Sequence, residues 1–258
     1  MALVDVRRHK ADYGFDGSYH TVSAPGQAVI VGVGSAALLA FAARSHVRGR
    51  PVAAAAAGAT AAALLGTAAV FVHTTRVGKF AVWAEVLKGL RLNGDETLLD
   101  LGCGRGAVLL AAAKLLPKGR AIGVDLWRAD QTDNSPDNTL RNAALEDVAD
   151  RVEVHTADIT NLPFDDNSVD VVVSSLVIHN ISRADGRAKA LSEAARVLRP
   201  GGKLAIADLA ATDQHVRQLR DLGWTTARRR NLGWRMWWGP GLSTHLVTAT
   251  KPAEPAAH

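Results

Sequence analysis

The stretch "LLDLGCGRGAVLLAAA", Leu98 to Ala113, decides how the rest of the chain is read. It starts as a short apolar run, reaches an acid at Asp100, passes three alternate glycines (Gly102, Gly104, Gly106), and continues as an Ala/Leu-rich run of helical character. Glycine lets the backbone turn sharply and approach a ligand closely. A strand that passes through such a turn into a helix is the opening unit of a parallel sheet. Working outward, "ETLLDLG", "RAIGVDL", "RVEVHTAD", "VDVVVSSLVI" and "GKLAIADL" are Val/Leu/Ile-rich runs too short for typical helices, bounded by Gly, Asp or Pro. Helical patterns such as "AVLLAAAKLL" and "GRAKALSEAARVL" lie between them. The alternation predicts an α/β, Rossmann-like, mostly parallel sheet with helices on both faces, and a ligand at the carboxyl ends of its strands.

Those ends carry acids. Asp100 lies two positions before the first glycine, Asp125 ends the next strand, and Asp158 ends "VEVHTAD". A carboxylate at the Asp125 position can accept hydrogen bonds from both hydroxyls of a ribose. Dinucleotide-binding loops are spaced G-x-G-x-x-G and seat a pyrophosphate on a helix terminus. Here the spacing is G-x-G-x-G, and an acid so close to the loop suits a positively charged ligand better than a pyrophosphate.

With these residues in view, the sequence resembles the class I S-adenosylmethionine-dependent methyltransferases over about Arg76 to Pro252. The motifs that carry the resemblance are Asp100 to Gly106, Asp125, "ADITNLPFDDNSVDVVVSS" and "RVLRPGGKLAIAD". The wording of the last two is most similar to the menaquinone and ubiquinone C-methyltransferase type. The resemblance implies S-adenosyl-L-methionine as cofactor, with the loop Asp100, Gly102, Cys103, Gly104 and Gly106 around its methionine part and Asp125 on the ribose. It also implies Leu126 and Trp127 flanking the adenine, Asp158 and Ile159 at its amino edge, and Ser174 and Ser175 beside the sulfonium and substrate. The helix ahead of the first strand, "RVGKFAVWAEVLKGLRL", often covers the cofactor in this family; its Arg76, Lys79, Lys88 and Arg91 equally suit anionic head groups. "TTARRRNLGWRMWWGPGLSTHLVTATKP" fits the antiparallel C-terminal hairpin that closes the family's sheet. The loop Trp234 to Trp238 within it suits a membrane interface, an apolar pocket lid or plain core packing.

The N-terminal part is of another kind. Residues 1–20 are polar and read as a flexible tail. Residues 21–75 hold two uncharged apolar runs of roughly 20 residues, the length a bilayer core demands, separated by Arg44 to Pro51. The larger side chains of the first run contribute roughly −3 kcal/mol to insertion, and those of the second slightly less. Small residues four apart (Gly32 with Ala36, Gly58 with Ala62, Ala62 with Gly66) would let two such helices approach closely as a hairpin. The expected division is therefore tail 1–20, hydrophobic hairpin and membrane anchor 21–75, and methyltransferase domain 76–258. The catalytic domain is expected to face the cytoplasm. The arginines of the hairpin's tip run against the positive-inside tendency, so membrane association is a firmer expectation than two crossings. Competing readings are a secretory signal cleaved after Ala40-Phe41-Ala42 and a soluble enzyme whose Ala-rich helices form a homodimer arm.

The formal charge of +5 favours anionic surroundings without choosing among them, and a single cysteine excludes a disulfide framework and a cysteine-rich metal site. No metal is expected. The Asn/Asp-Pro-Pro-Tyr/Phe motif of nucleic-acid amino-methylating relatives is missing after the fourth strand, where "SSLVIHN" stands, which weighs against nucleic acid as partner. Cys103 reads as a packing residue of the loop rather than a nucleophile. His179 is the candidate general base, with Asn180 beside it as a group that can orient an acceptor; His155, His215 and His245 read as structural or solvated. The expected acceptor is a lipophilic small molecule. A noncatalytic cofactor-binding scaffold is the rival from a different class, and the intact Asp100, glycines and Asp125 oppose it.

Overall fold

The computed structural model describes residues 5–17, 21–128 and 131–253. The first two helices, α1 (Ala24–Val47) and α2 (Pro51–His73), form a hairpin. Ser23 caps α1 by accepting from the Gly26 amide, and Pro25 lies in its first turn. The reversal is made at Gly49, with φ at +67°, and Pro51 starts the return. At 24 and 23 residues the helices are about 36 and 35 Å long, enough to cross a hydrocarbon core of about 30 Å. Val29, Ile30, Val33, Leu39, Phe41, Leu64 and Leu65 point outward, an exposed apolar surface of the kind that meets either a membrane or another protein.

The contact between the two helices differs from the expected one. Ser35, Ser45, Ala57 and Ala61 are the residues buried along the pair. Gly32, Gly58 and Gly66 face open space, where a Cβ would meet nothing within 4 Å. Small residues do make the close approach, but on a face one position removed from the glycines.

Beyond His73 the helix does not stop. A π-turn, Thr74–Gly78, leads directly into α3 (Lys79–Leu90), so the boundary expected at 75/76 falls inside one continuous helical stretch from Pro51 to Leu90. Arg91, in the left-handed region, ends it.

The sheet follows: β1 (Thr97–Leu101), β2 (Arg120–Asp125), β3 (Val152–Thr156), β4 (Val169–Ser175), β5 (Leu198–Asp208), β6 (Arg228–Asn231) and β7 (His245–Thr250). Its order is β3-β2-β1-β4-β5-β7-β6, parallel throughout except for β7, which pairs antiparallel with both β5 and β6. All five strands read from the sequence and the closing hairpin are present. Two cores cover the faces. Trp83, Leu87, Leu109 and Leu110, from α3 and α4 (Ala107–Ala113), pack on one side. Leu191, Leu219 and Trp224 pack on the other, from α6 (Ala184–Val197), α7 (Thr212–Asp221) and the turn after it. The helix between β2 and β3, α5 (Pro136–Leu145), is capped by Ser135. Strand order reverses between β1 and β4, and in sheets of this kind the crevice at that point is where ligands bind.

Residues 5–17, read as part of a flexible tail, lie as a strap on the domain. Ala11 and Tyr13 are buried. The Lys10 and Ala11 amides and the Tyr13 hydroxyl all donate to Glu146 Oε1. Sequence hydropathy misses this because the strap is held largely by polar contacts and ion pairs to residues distant in sequence, Glu146 chief among them. Residues 18–20 of the expected tail lie outside the described residues.

Candidate active site

At the carboxyl end of β1 the chain turns through Gly102, Gly104 and Gly106, all with positive φ. Two of them are required by space as well. A Cβ on Gly102 would come within 2.3 Å of Val177, and one on Gly104 within 2.4 Å of Gln131 Oε1. Asp100 is buried, and neither of its carboxylate oxygens has a hydrogen-bond partner. Burial pushes its carboxyl up to about 8, and the nearby Asp125 carboxylate adds to the shift. An unpartnered buried carboxyl beside a second acid is a site prepared for a cation.

Asp125, at the end of β2, accepts from the Gly104 amide at 2.8 Å and from the Trp127 amide at 2.6 Å. It thereby ties the glycine loop to the second strand while facing the cavity. Cys103 is buried against Gly123, and burial, with Asp100 and Asp125 nearby, pushes its thiol well up, which removes it as a nucleophile.

These residues line one end of a cavity of about 730 Å³, within the range of about 300–1,000 Å³ usual for small-molecule sites. Leu126, Asp158 and Ile159, the residues expected around the adenine, line the same cavity. Trp127 does not line it: its φ of +56° turns the indole toward β3, where Nε1 donates to Thr156 Oγ1 at 2.7 Å. Ser174 is fully buried and donates to the Leu101 carbonyl, so of the two serines only Ser175 reaches the cavity, accepting from Trp83 Nε1 at 3.0 Å.

His179 and Asn180 lie in a short 3-10 turn after β4, on the cavity wall. The His179 ring is fixed by a residue the sequence reading missed. Asp208, fully buried at the end of β5, lies 2.5 Å from Nδ1 through Oδ1, accepts the His179 amide through Oδ2, and accepts the Leu209 amide as well. A carboxylate can only accept, so Nδ1 carries a proton, and in the neutral ring Nε2 is the nitrogen with the lone pair. His215 is buried, and burial holds its imidazole below the usual range; His155 packs edge-on against Phe164.

Two further residues, Lys79 and Gln131, line the wall without having been read as site residues. Lys79, on the helix expected either to cover the cofactor or to meet anionic head groups, is buried and pairs with Asp16 of the strap at 2.6 Å. Gln131 accepts from the Arg105 amide and donates to the Tyr13 carbonyl and Asp16. Arg76 likewise turns to the strap, pairing with Asp12 and lying over the Phe15 ring. A lysine at the buried edge of an amphipathic helix was the only sign in the sequence.

The same cavity also has an apolar lining, from Phe71, Val177, Ile181, Leu209, Trp238 and Leu242, with Val177 packed against the glycine loop at Gly102. The acids, the glycine cradle and a polar tip at His179 thus share one cavity with an apolar chamber. Its acidic end fits a ligand with a cationic centre and a ribose, as S-adenosylmethionine has.

Comparison with known proteins agrees with this geometry. Residues 99–206 match the methyltransferase domain family. An arsenite methyltransferase of Halobacterium salinarum is 39% identical over 118 residues, covering 45% of this chain and 28% of that protein. A demethylmenaquinone methyltransferase of Lactobacillus johnsonii is 32% identical over 138 residues, 53% of this chain and 52% of that protein. The chain therefore spans about half, or less, of the length of these relatives. Among solved structures, the geranyl diphosphate C-methyltransferase of Streptomyces coelicolor A3(2), in complex with Mg2+, geranyl diphosphate and S-adenosyl-L-homocysteine, superposes with a TM-score of 0.54. It is 18% identical, over 68% of this chain and 81% of that one, a likeness of fold. Over residues 99–206 the chain is thus similar to the methyltransferase domain family, and the strand order around the acid and glycine loop is that of the class I methyltransferase fold.

Proposed function

We propose that the protein transfers a methyl group from S-adenosylmethionine to a lipophilic small molecule at or near a membrane, with its catalytic domain on the cytoplasmic side. The observation that carries the reading is the single cavity joining the Asp100 to Gly106 cradle to an apolar chamber with His179 between them. Quinone methyltransferases among the relatives support a small-molecule acceptor. The outward apolar faces of α1 and α2 support the membrane.

When bound, S-adenosylmethionine supplies a methyl group activated on a sulfonium sulfur. Asp100 and the glycine amides would hold the methionine part, Asp125 the ribose, and Leu126, Asp158 and Ile159 the adenine. The apolar chamber keeps water from the reacting end and aligns the acceptor, and alignment alone can lower a barrier by up to about 7–11 kcal/mol. His179 Nε2 takes the proton leaving the acceptor atom as that atom gains its methyl group, while Asp208 stabilises the imidazolium that results. Asn180 orients the acceptor's polar end.

The test is incubation of the purified protein and labelled S-adenosylmethionine with separate membrane and soluble extracts of the source cells. A labelled product in the lipid phase is expected. Label only in water-soluble products would remove the lipophilic acceptor, and no saturable S-adenosylmethionine binding would remove the enzyme. Recovery of the protein in the soluble fraction without detergent would favour the homodimer-arm alternative.

A further inference from the structure

The junction between the hairpin and the catalytic domain is built with more care than a tether needs. Phe71, in the last turn of α2, meets Trp238 edge-on with ring centroids 5.8 Å apart, and both line the cavity. Two residues on, His73 stacks on Trp234 at 4.9 Å. Thr74 Oγ1 donates to the Trp237 carbonyl at 2.9 Å, and Arg235 holds Glu85 of α3 through two hydrogen bonds. At Gly78 the same loop comes so close that a Cβ would lie 2.1 Å from the Arg235 carbonyl oxygen. The π-turn at Thr74–Gly78 sits at this contact, and such turns gather at functional positions.

The foot of an apolar, outward-facing helix is therefore also a wall of the active-site cavity. Phe71 closes the α2 segment that carries exposed Leu64 and Leu65, and Trp234, 64% exposed beside it, has the character of an interfacial anchor. Leu242 is 46% exposed and lines the cavity from the other side of Trp238. Phe71 and Trp238 thus belong both to the cavity lining and to the foot of α2.

We propose that Phe71, Trp238 and Leu242 form an acceptor-binding subsite that opens sideways to the bilayer, taking the apolar body of the acceptor while its polar end stops at His179. This rests on the membrane-associated methyltransferase reading and adds to it a route and a specificity-determining contact. A hydroxyl or similar small polar head on a long apolar body is the chemical class that fits, because Phe71, Trp238 and Leu242 offer apolar surface to the body while His179 and Asn180 offer polar groups to the head.

The test uses the full chain in nanodiscs of phosphatidylcholine and phosphatidylglycerol, with a long-chain alcohol bearing a diazirine dissolved in the lipid and activated by light. Labelling is expected on Phe71, Trp238 and Leu242, and beyond them on Val177 or Leu209 inside the cavity. Leu242→Glu, a change at an exposed loop position, is expected to lower the cavity labelling roughly tenfold by facing the apolar body with a charge. S-adenosyl-L-homocysteine binding, followed by calorimetry on the same discs, should stay unchanged in that variant. Label confined to α1 and the outer turns of α2, or equal cavity labelling in Leu242→Glu, overturns the proposal even when the homocysteine cofactor product binds. Cavity labelling without that binding would support the apolar subsite while overturning the methyl-transfer reading beneath it.

Discussion

Asp100 is the residue whose environment makes the sharpest demand. Its carboxyl, raised to about 8 by burial and by Asp125, keeps a proton at neutral pH in the free protein and must release it to meet a cation. Binding of S-adenosylmethionine should therefore release a proton, and affinity should rise by up to about tenfold per pH unit until about pH 8, then level off. The sign for folding is opposite. An unfolded aspartate titrates near about 4, so the free protein should lose stability as pH rises from about 4 through 8. Calorimetry in buffers of different ionisation enthalpy measures the proton, and Asp100→Asn should abolish both its release and the pH slope. A second expectation concerns His179. His179→Gln should lower turnover by about 10²- to 10⁴-fold with cofactor affinity unchanged, and Asp208→Asn should lower it less by freeing the ring. An unchanged rate in both would take the pair out of the chemistry. His179 was legible from its place after the fourth strand. Asp208 was not, because its role arises only where β4 and β5 end side by side.

At the scale of elements, the strands were legible because each is a short apolar run closed by an acid or glycine, and the loop because its glycines alternate. The continuity of α2 with α3 was hidden by a change in composition: Arg76 and Lys79 look like the start of a new unit, although backbone hydrogen bonding passes straight through them. Gly78 offers a test whose sign is informative. Its φ of −60° is helical, so in a free helix Gly78→Ala would stabilise by about 1 kcal/mol. With the Arg235 carbonyl where the Cβ would stand, the same change should destabilise by about 1–3 kcal/mol. Denaturant unfolding in detergent, with limited proteolysis of the Trp234–Leu242 loop, measures it. A stabilised Gly78→Ala would show that the hairpin is not docked on that loop.

For the molecule as a whole, residues 5–17 lie on the catalytic domain, α1 and α2 form the hairpin, and α2 continues into α3 of the same domain, so segments on both sides of the hairpin are tied to one body. The tie on the N-terminal side is Glu146. Its carboxylate receives the strap's two amides and the Tyr13 hydroxyl, and pairs with Lys114 at 2.6 Å. Burial works against the charge, but the Lys114 ammonium and the Ala11 and Lys10 amides hold the carboxyl below its usual value. The strap's contribution to stability is therefore present above the ordinary glutamate value of about 4.3 and is lost as pH falls through the lower folded one. Glu146→Gln should reproduce that loss at neutral pH, costing about 3 kcal/mol, because it removes one member of a buried pair. The effect should reach the active site, since Asp16 and Gln131 join the strap to the cavity wall through Lys79 and Arg105. Hydrogen exchange over residues 5–17 should rise in the variant, and S-adenosyl-L-homocysteine affinity should fall with it. Faster exchange with unchanged affinity would make the strap an anchor for the hairpin alone, and unchanged exchange would mean that Glu146 does not hold it.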